Sequence, residues 1–229
     1  MKIFNFGLSI DTGKHKYIDE CFKRLVDKFS PDKSSPYIVE VINTDIEKSD
    51  AIVVSNDKKL DFVLIDLDKI EKRILRTEDE KERNILKKCQ KVLEEEIFLC
   101  DGDFSEEEKN TFKLLQLVTS KPSVVRDSVE DLNSLIQEVI DKSGIMFFFT
   151  CGKKEVRAWK LDKGSTAHEA AGCIHSDLKR GFIKAEITNC RDLDNFFNMA
   201  EAKSRGFTKV VDKDYIMQPN DIIDVRFNV

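Results

Sequence analysis

The chain has 229 residues, 41% of them hydrophobic and 35% charged, with a formal net charge of −5. That length suits one large domain or two small ones, and the apolar content supports a buried core, which excludes intrinsic disorder. No apolar run approaches the ~20 residues that cross a bilayer, and Met1–Gly7 lacks a secretory signal, so a cytoplasmic protein without membrane contact is expected.

The charge is unevenly spread. Residues 145–229 hold 14 Lys and Arg against 12 Asp and Glu, net +2, which leaves −7 on residues 1–144. An acidic first part and a mildly basic second part predict two units with different partners. The cysteines Cys21, Cys89, Cys100, Cys151, Cys173 and Cys190 form no Cys-x-x-Cys, and His15, His168 and His175 supply no zinc-ligand spacing. They are expected to be reduced, buried thiols, and no metal or cofactor is expected.

In chain order, Lys2 to Phe6 reads as a strand, Gly7 to Lys14 as a loop, and Ile18 to Phe29 as a helix with apolar residues spaced three and four apart. Tyr37 to Ile42 and Ala51 to Val54 are β-branched runs of strand length, the pattern of an open parallel sheet. Leu60, Val63, Leu67, Ile70 and Ile74 then step as a heptad seam, and Leu86, Cys89, Leu93 and Ile97 continue it on a second helix. An antiparallel helical hairpin is expected over about residues 59–118, its second helix capped by Thr77 with Glu80 and a third helix capped by Ser105 with Glu108. Ser123 to Arg126 is a short strand and Val129 to Ile140 an amphipathic helix.

After Gly144 the pattern turns mainly β. Met146 to Thr150 and Glu155 to Leu161 flank a hairpin turn, and a helix begins at Ser165 or Thr166. Ile183 to Thr188, Thr208 to Val211 and Ile222 to Val229 are further strands, with a helix expected over Asp192 to Ser204. This ββα order followed by more strands is that of a ubiquitin-like β-grasp.

The stretch Phe148-Phe-Thr-Cys-Gly-Lys-Lys-Glu-Val-Arg-Ala-Trp159 closely resembles the entry to the TGS domain of the YchF/Obg-like ATPase family. So do Gly172-Cys-Ile-His-Ser-Asp177, Arg180-Gly-Phe-Ile-Lys-Ala-Glu186, Lys213-Asp-Tyr-Ile-Met217 and Val225-Arg-Phe-Asn-Val229. Upstream, Leu60 to Arg73 and Leu114 to Pro122 resemble the flanks of that family's helical coiled-coil insertion. The resemblance implies a reduced P-loop-like parallel α/β domain, residues 1–144, bearing the hairpin, followed by a TGS β-grasp domain, residues 145–229.

A working phosphate loop needs G-x-x-x-x-G-K-[ST], whose backbone N–H groups wrap phosphate while the hydroxyl holds Mg²⁺. Here Gly7 and Gly13 are one residue too far apart, and His15 follows Lys14 where the hydroxyl belongs. The family's metal-coordinating Asp-x-x-Gly is replaced by Asn43-Thr-Asp-Ile46, and no base-reading Asn stands near Arg126-Asp-Ser128. Gly7, Gly13 and Lys14 therefore read as a vestigial loop, and neither NTP hydrolysis nor any catalytic residue is expected.

Basic residues bracket the second part's first hairpin (Lys153, Lys154, Arg157, Lys160, Lys163) and the next strand (Lys179, Arg180, Lys184). Arg157 and Trp159 fall on one strand face, a candidate surface for stacking a base. The family's TGS domain implies ribosome or RNA association. The expectation is a non-catalytic binding module using these residues. A nucleotide switch with an atypical loop and a protein scaffold using the acidic hairpin are the alternatives.

Overall fold

The computed structural model describes residues 1–228, so the last residue of the expected terminal strand, Val229, lies outside the described residues. The chain divides into two compact units, Met1–His15 with Val39–Ser143, and Lys16–Ile38 with Gly144 onwards.

The first unit is built on a five-stranded sheet ordered β2-β4-β1-β5-β6, comprising β1 (Lys2–Phe6), β2 (Gly13–Tyr17), β4 (Tyr37–Ile42), β5 (Ala51–Ser55) and β6 (Ser123–Arg126). β1 runs parallel to β4 and β5, and β5 parallel to β6. Every residue of β5 is buried, the result expected for a β-branched run in a parallel sheet covered on both faces. Helices α2 (Lys59–Ile74), α3 (Glu80–Glu94) and α4 (Glu106–Leu115) share one core with Phe4, Ile52 and Val54 of the sheet. Helix α5 (Leu132–Lys142) packs on β5 and β6.

The sequence patterns meet the structure unevenly here. The buried residues of α2 are Phe62, Val63, Asp66 and Ile70, whereas Leu60 is exposed. Val63, Leu67, Ile70 and Ile74 of the expected seam do pack in this core, and Phe62 and Asp66 widen the buried stripe because α2 packs against β5 as well as α3. Asp79, not Thr77, caps α3, accepting a hydrogen bond from the Lys81 N–H, while the Thr77 hydroxyl is taken by Glu82. The Ser105–Glu108 capping box of α4 is present in both directions.

The second unit carries a six-stranded sheet ordered β10-β9-β11-β7-β8-β3. Its strands are β3 (Lys33–Ser35), β7 (Ile145–Cys151), β8 (Glu155–Asp162), β9 (Phe182–Asn189), β10 (Lys209–Val211) and β11 (Asp221–Phe227). β7 and β8 form an antiparallel hairpin, β11 lies parallel to β7 and antiparallel to β9, and β3 adds in parallel to β8. On one face, α6 (Ala167–Ile174) packs its alanines Ala167 and Ala170 against Met146, Phe148, Leu161, Ala185, Ile187 and Ile223. A short helix, α7 (Ser176–Arg180), leads from it into β9.

The opposite face is covered by α1 (Glu20–Phe29), which buries Cys21, Phe22 and Leu25 and packs on β7 and β8. The rings of Tyr17 and Tyr37 lie 5.4 and 4.9 Å from that of Phe147. Being covered on both faces, β7 needs the unbroken apolar run Ile145–Phe149. Three expectations are corrected by this packing. Segment Lys16–Ile38 belongs with the second unit, not with residues 1–144. Cys21 and Cys190 are not reduced thiols but a disulfide, with Cα atoms 5.9 Å apart, beside an Arg24–Asp194 ion pair at 3.0 Å. The helix expected over Asp192 to Ser204 is split: a 3₁₀ turn, Cys190–Asn195, gives way at extended Phe196, and Asn198 caps a new helix, α8 (Met199–Ser204).

Candidate functional site

The loop after β1 does not have a phosphate loop's form. Gly7 sits at φ +99°, and a Cβ there would lie 2.8 Å from Cγ of Lys58, so only glycine permits this close approach. The Asn5 side chain stitches the turn, donating to the Leu8 carbonyl at 2.8 Å and accepting from the Leu8 N–H at 3.0 Å. Gly13, Lys14 and His15 then open strand β2, where the end of a loop was expected. The aligned N–H groups of a helix N-terminus are therefore not at this loop. The turn around Asn43 and Ile46 is held by Lys121, whose ammonium donates to the carbonyls of Ile46, Glu47 and Ser49 at 2.9, 2.7 and 2.7 Å. Burial pushes the Lys121 pKa down.

The basic candidates of the second unit come together through strand register. Lys153 and Lys154 form the β7–β8 turn, closed by a hydrogen bond from the Gly152 N–H to the Glu155 carbonyl at 3.0 Å. Their carbonyls accept from the N–H groups of Asp32 and Lys33 at 2.9 and 3.1 Å, which braces the turn against the segment entering β3. Ile222 stands opposite Phe149, so β11 finishes at the same end of the sheet as this turn, and β9 begins there with Lys184 opposite Arg226. The Asn228 N–H donates to the Gly181 carbonyl at 2.9 Å, tying the end of α7, with Lys179 and Arg180, to that end as well.

These cations differ in what neutralises them. Arg180 pairs with Asp177 at 2.9 Å, Lys184 with Asp212 at 3.3 Å, and Arg226 with Glu186. Lys153, Lys154, Arg157 and Lys179 form no salt bridge among the described residues, and all four are exposed, although the charges of Arg157 and Lys179 act on Glu155 and Glu169. Glu155, next to the turn, is already engaged by the Ser35 hydroxyl at 2.6 Å and by Lys33 at 3.0 Å. Those contacts, the hydroxyl first, hold its carboxyl below the usual range.

Arg157 and Trp159 share a face of β8. The guanidinium carbon lies 4.0 Å from the indole centroid, and the indole N–H donates to the Thr150 hydroxyl at 3.0 Å. Beneath it Phe148 stacks at 14° between planes and 6.4 Å between centroids. Sequence reasoning missed Arg226, which only the β9–β11 register reveals. It also missed a cleft of about 760 Å³ that brings Lys160, His168, Cys173 and Lys179 together. On the first unit, the charges of the helices largely satisfy one another, as in Arg73–Glu82, Lys81–Glu107 and Lys88–Glu108.

A family model, YchF-GTPase_C, described as a protein of unknown function (DUF933), matches residues 145–228. The "Ribosome-binding ATPase YchF" of Bacillus subtilis is 30% identical over 237 residues, covering 74% of this chain and 65% of that protein. Its namesake in Mycoplasma genitalium is 35% identical over 140 residues, covering 61% of the chain and 38% of that protein. The "Obg-like ATPase homolog" of Saccharomyces cerevisiae is 36% identical over 137 residues, covering 56% and 31%. The chain thus spans 65% of the length of the Bacillus relative and about a third of the other two. The Schizosaccharomyces pombe YchF GTPase superimposes with a TM-score of 0.76 at 18% identity, covering 95% of this chain and 88% of that one, which establishes a shared fold.

These names correct the expectation that the chain is no enzyme, because its relatives are ATPases and a GTPase by name. The physical reason is that phosphoryl transfer rests on positioning and charge neutralisation, which backbone and other side chains can supply. Altered letters at three motif positions therefore do not exclude it.

Proposed function

The chain belongs to the YchF/Obg-like family, and from that premise we propose that it associates with the ribosome in the cytoplasm through its second unit. We read this unit as a TGS-like β-grasp domain. The order β7, β8, α6, β9, β10, β11, with β11 inserted between β9 and β7, supports that reading. The observation that carries the proposal is the exposed pair Lys153–Lys154. It has no carboxylate partner among the described residues and stands at the end of the sheet where Lys184, Arg226 and the end of α7 also gather.

Phosphate contacts of this kind release counterions, so binding is expected to weaken with salt and to show little sequence preference. The test is co-sedimentation of the full chain with ribosomes at low and moderate salt. The triple variant Lys153→Ala/Lys154→Ala/Arg180→Ala is expected to pellet less and to flatten the salt dependence by about 0.7–0.9 logarithmic units for each phosphate no longer neutralised. Pelleting that is insensitive to salt and unchanged in the variant would overturn the assignment and move the binding surface to the helices of the first unit.

A second reading, that nucleotide controls this association, is favoured by the switch point of the parallel sheet. There the chain leaves β1 for β4 on one side and then crosses to β5 on the other, the crevice where open α/β sheets bind ligands. It is tested by repeating the sedimentation with Mg²⁺-ATP, and a nucleotide-dependent change in the pelleted fraction is its expected result.

A further inference from the structure

We infer that the exposed plane of the Arg157 guanidinium is a stacking site for an unpaired base of single-stranded RNA. The inference rests on the ribosome-association reading and adds the chemical group that is recognised.

Arg157 and Trp159, two apart on β8, point to one face, and their cross-strand partners on β7 are Thr150 and Phe148. Around the half-buried Trp159 indole, the fully buried Phe148 ring lies stacked on the neighbouring strand and the exposed Arg157 guanidinium lies over the indole ring. The indole is fixed by its hydrogen bond to Thr150, so the guanidinium rests on a rigid platform. A guanidinium is planar, always charged and weakly hydrated, and it stacks on aromatic faces. An exposed guanidinium already resting on an indole offers a second planar group a surface to stack on.

The surroundings select which group. Arg157 forms no salt bridge among the described residues: Glu155, the acid two residues before it, is bonded to Ser35 and Lys33, and Arg157 acts on it only through its charge. Its guanidinium N–H groups are therefore not taken up by a carboxylate in salt-bridge contact. Lys153 and Lys154 lie at the adjacent turn of the same hairpin and suit the phosphates flanking a stacked base. Arg157 also lines an open cavity of about 510 Å³ with Lys33, Ser34, Pro36 and Tyr37, which leaves room beside the plane. Bases in a duplex already stack on their neighbours. An unpaired base can splay out onto an aromatic or guanidinium plane, which singles out single-stranded RNA.

Trp159 is the only tryptophan in the chain, so its fluorescence reports this site directly. The full chain is titrated with oligouridine and with an abasic oligonucleotide of the same backbone and phosphate number. The base-bearing oligonucleotide is expected to quench Trp159 and to bind about tenfold more tightly. Arg157→Lys keeps the charge but loses the plane, and the base preference should vanish while salt-dependent binding of the abasic strand persists. An unchanged thermal midpoint confirms that this exposed substitution leaves the fold intact. Equal affinity for the two strands, no binding of either, or an Arg157→Lys variant that keeps the preference overturns the inference. If ribosome pelleting still depends on Lys153 and Lys154 in that case, only the stacking site has failed. Base-dependent quenching without ribosome pelleting would instead sink the ribosome reading and keep the stacking site.

Discussion

Asp66 offers the sharpest test of how the first unit is held together. Its carboxylate is fully buried on α2 and accepts three hydrogen bonds, from the Val118 N–H at 3.0 Å, the Thr119 N–H at 2.7 Å and the Thr119 hydroxyl at 2.6 Å. Lys69 is the nearest cation, at 3.8 Å. Asp66→Ala removes the acceptor and strands three buried donors, each at about 1–3 kcal/mol if nothing relaxes. Partial relaxation brings the sum near the roughly 3–5 kcal/mol typical of breaking a buried charged network, and about 4 kcal/mol is expected. For a chain of this size that lowers the melting midpoint by roughly 8–16 °C. Asp66→Asn keeps one acceptor but turns an NH₂ towards a donor, so about half that loss is expected. Urea unfolding followed by circular dichroism gives both values, provided the slope with denaturant is unchanged. A loss below about 1 kcal/mol for the alanine variant would mean that water replaces the carboxylate and that the turn before β6 is not anchored by it.

Closing a loop over a sequence separation of 169, the Cys21–Cys190 disulfide is worth up to about 5 kcal/mol by loop entropy, so dithiothreitol or Cys21→Ser should lower the unfolding midpoint read by Trp159 fluorescence. An unmoved midpoint would show that packing alone holds α1. Native-state alkylation followed by mass spectrometry should label exposed Cys173 first. Burial pushes the thiols of Cys89 and Cys151 up to about 12 and that of Cys100 up to about 11, so these three should react slowly if at all. Glu82 is held below its ordinary value chiefly by hydrogen bonds from Arg73 and then Thr77. A depressed carboxyl contributes stability that is present above the unfolded value of about 4.3 and lost as pH falls through the lower folded value. Glu82→Gln should therefore cost stability at neutral pH and blunt acid unfolding below about pH 4.3, and parallel pH profiles for variant and parent would refute the pairing.

Much of the strand framework was legible because β5 and β7 are continuous apolar runs and β8 alternates. The Ser105–Glu108 cap of α4 could be read because a capping box is a local pattern, but the same pattern at Thr77–Glu80 misleads. The sequence does not decide between Ser165 and Thr166 as the cap of α6, where Thr166 and Glu169 form the box. The allegiance of Lys16–Ile38 could not be read, since the stripe Cys21, Phe22, Leu25 looks the same whichever sheet it covers. The deciding facts are distant: Cys190 lies 169 residues further on, and Phe147 receives the rings of Tyr17 and Tyr37. Strand β2, Gly-Lys-His-Lys-Tyr, carries too little apolar alternation to be recognised. At the candidate site a period of two suffices to put Arg157 and Trp159 on one face, whereas Arg226 beside Lys184 needs a register that no local pattern encodes.

The packing of the second unit also explains why its free surface lies where the basic residues are. Helix α6 covers one face of the sheet and α1 the other, so over β7 and β8 only the part near the hairpin turn, where Arg157 is exposed, is open to a partner. Both edge strands, β3 and β10, are only three residues long, a length that discourages strand addition by another chain. What remains is the ends of the strands. At one end the β7–β8 turn, the start of β9 and the finish of β11 coincide, and Lys153, Lys154, Lys184 and Arg226 all fall there. Other exposed cations, such as Lys23, Lys203 and Lys209, lie on helices and on an edge strand. The feature of this end that supports the proposed phosphate-bearing partner is that Lys153 and Lys154 there form no salt bridge among the described residues.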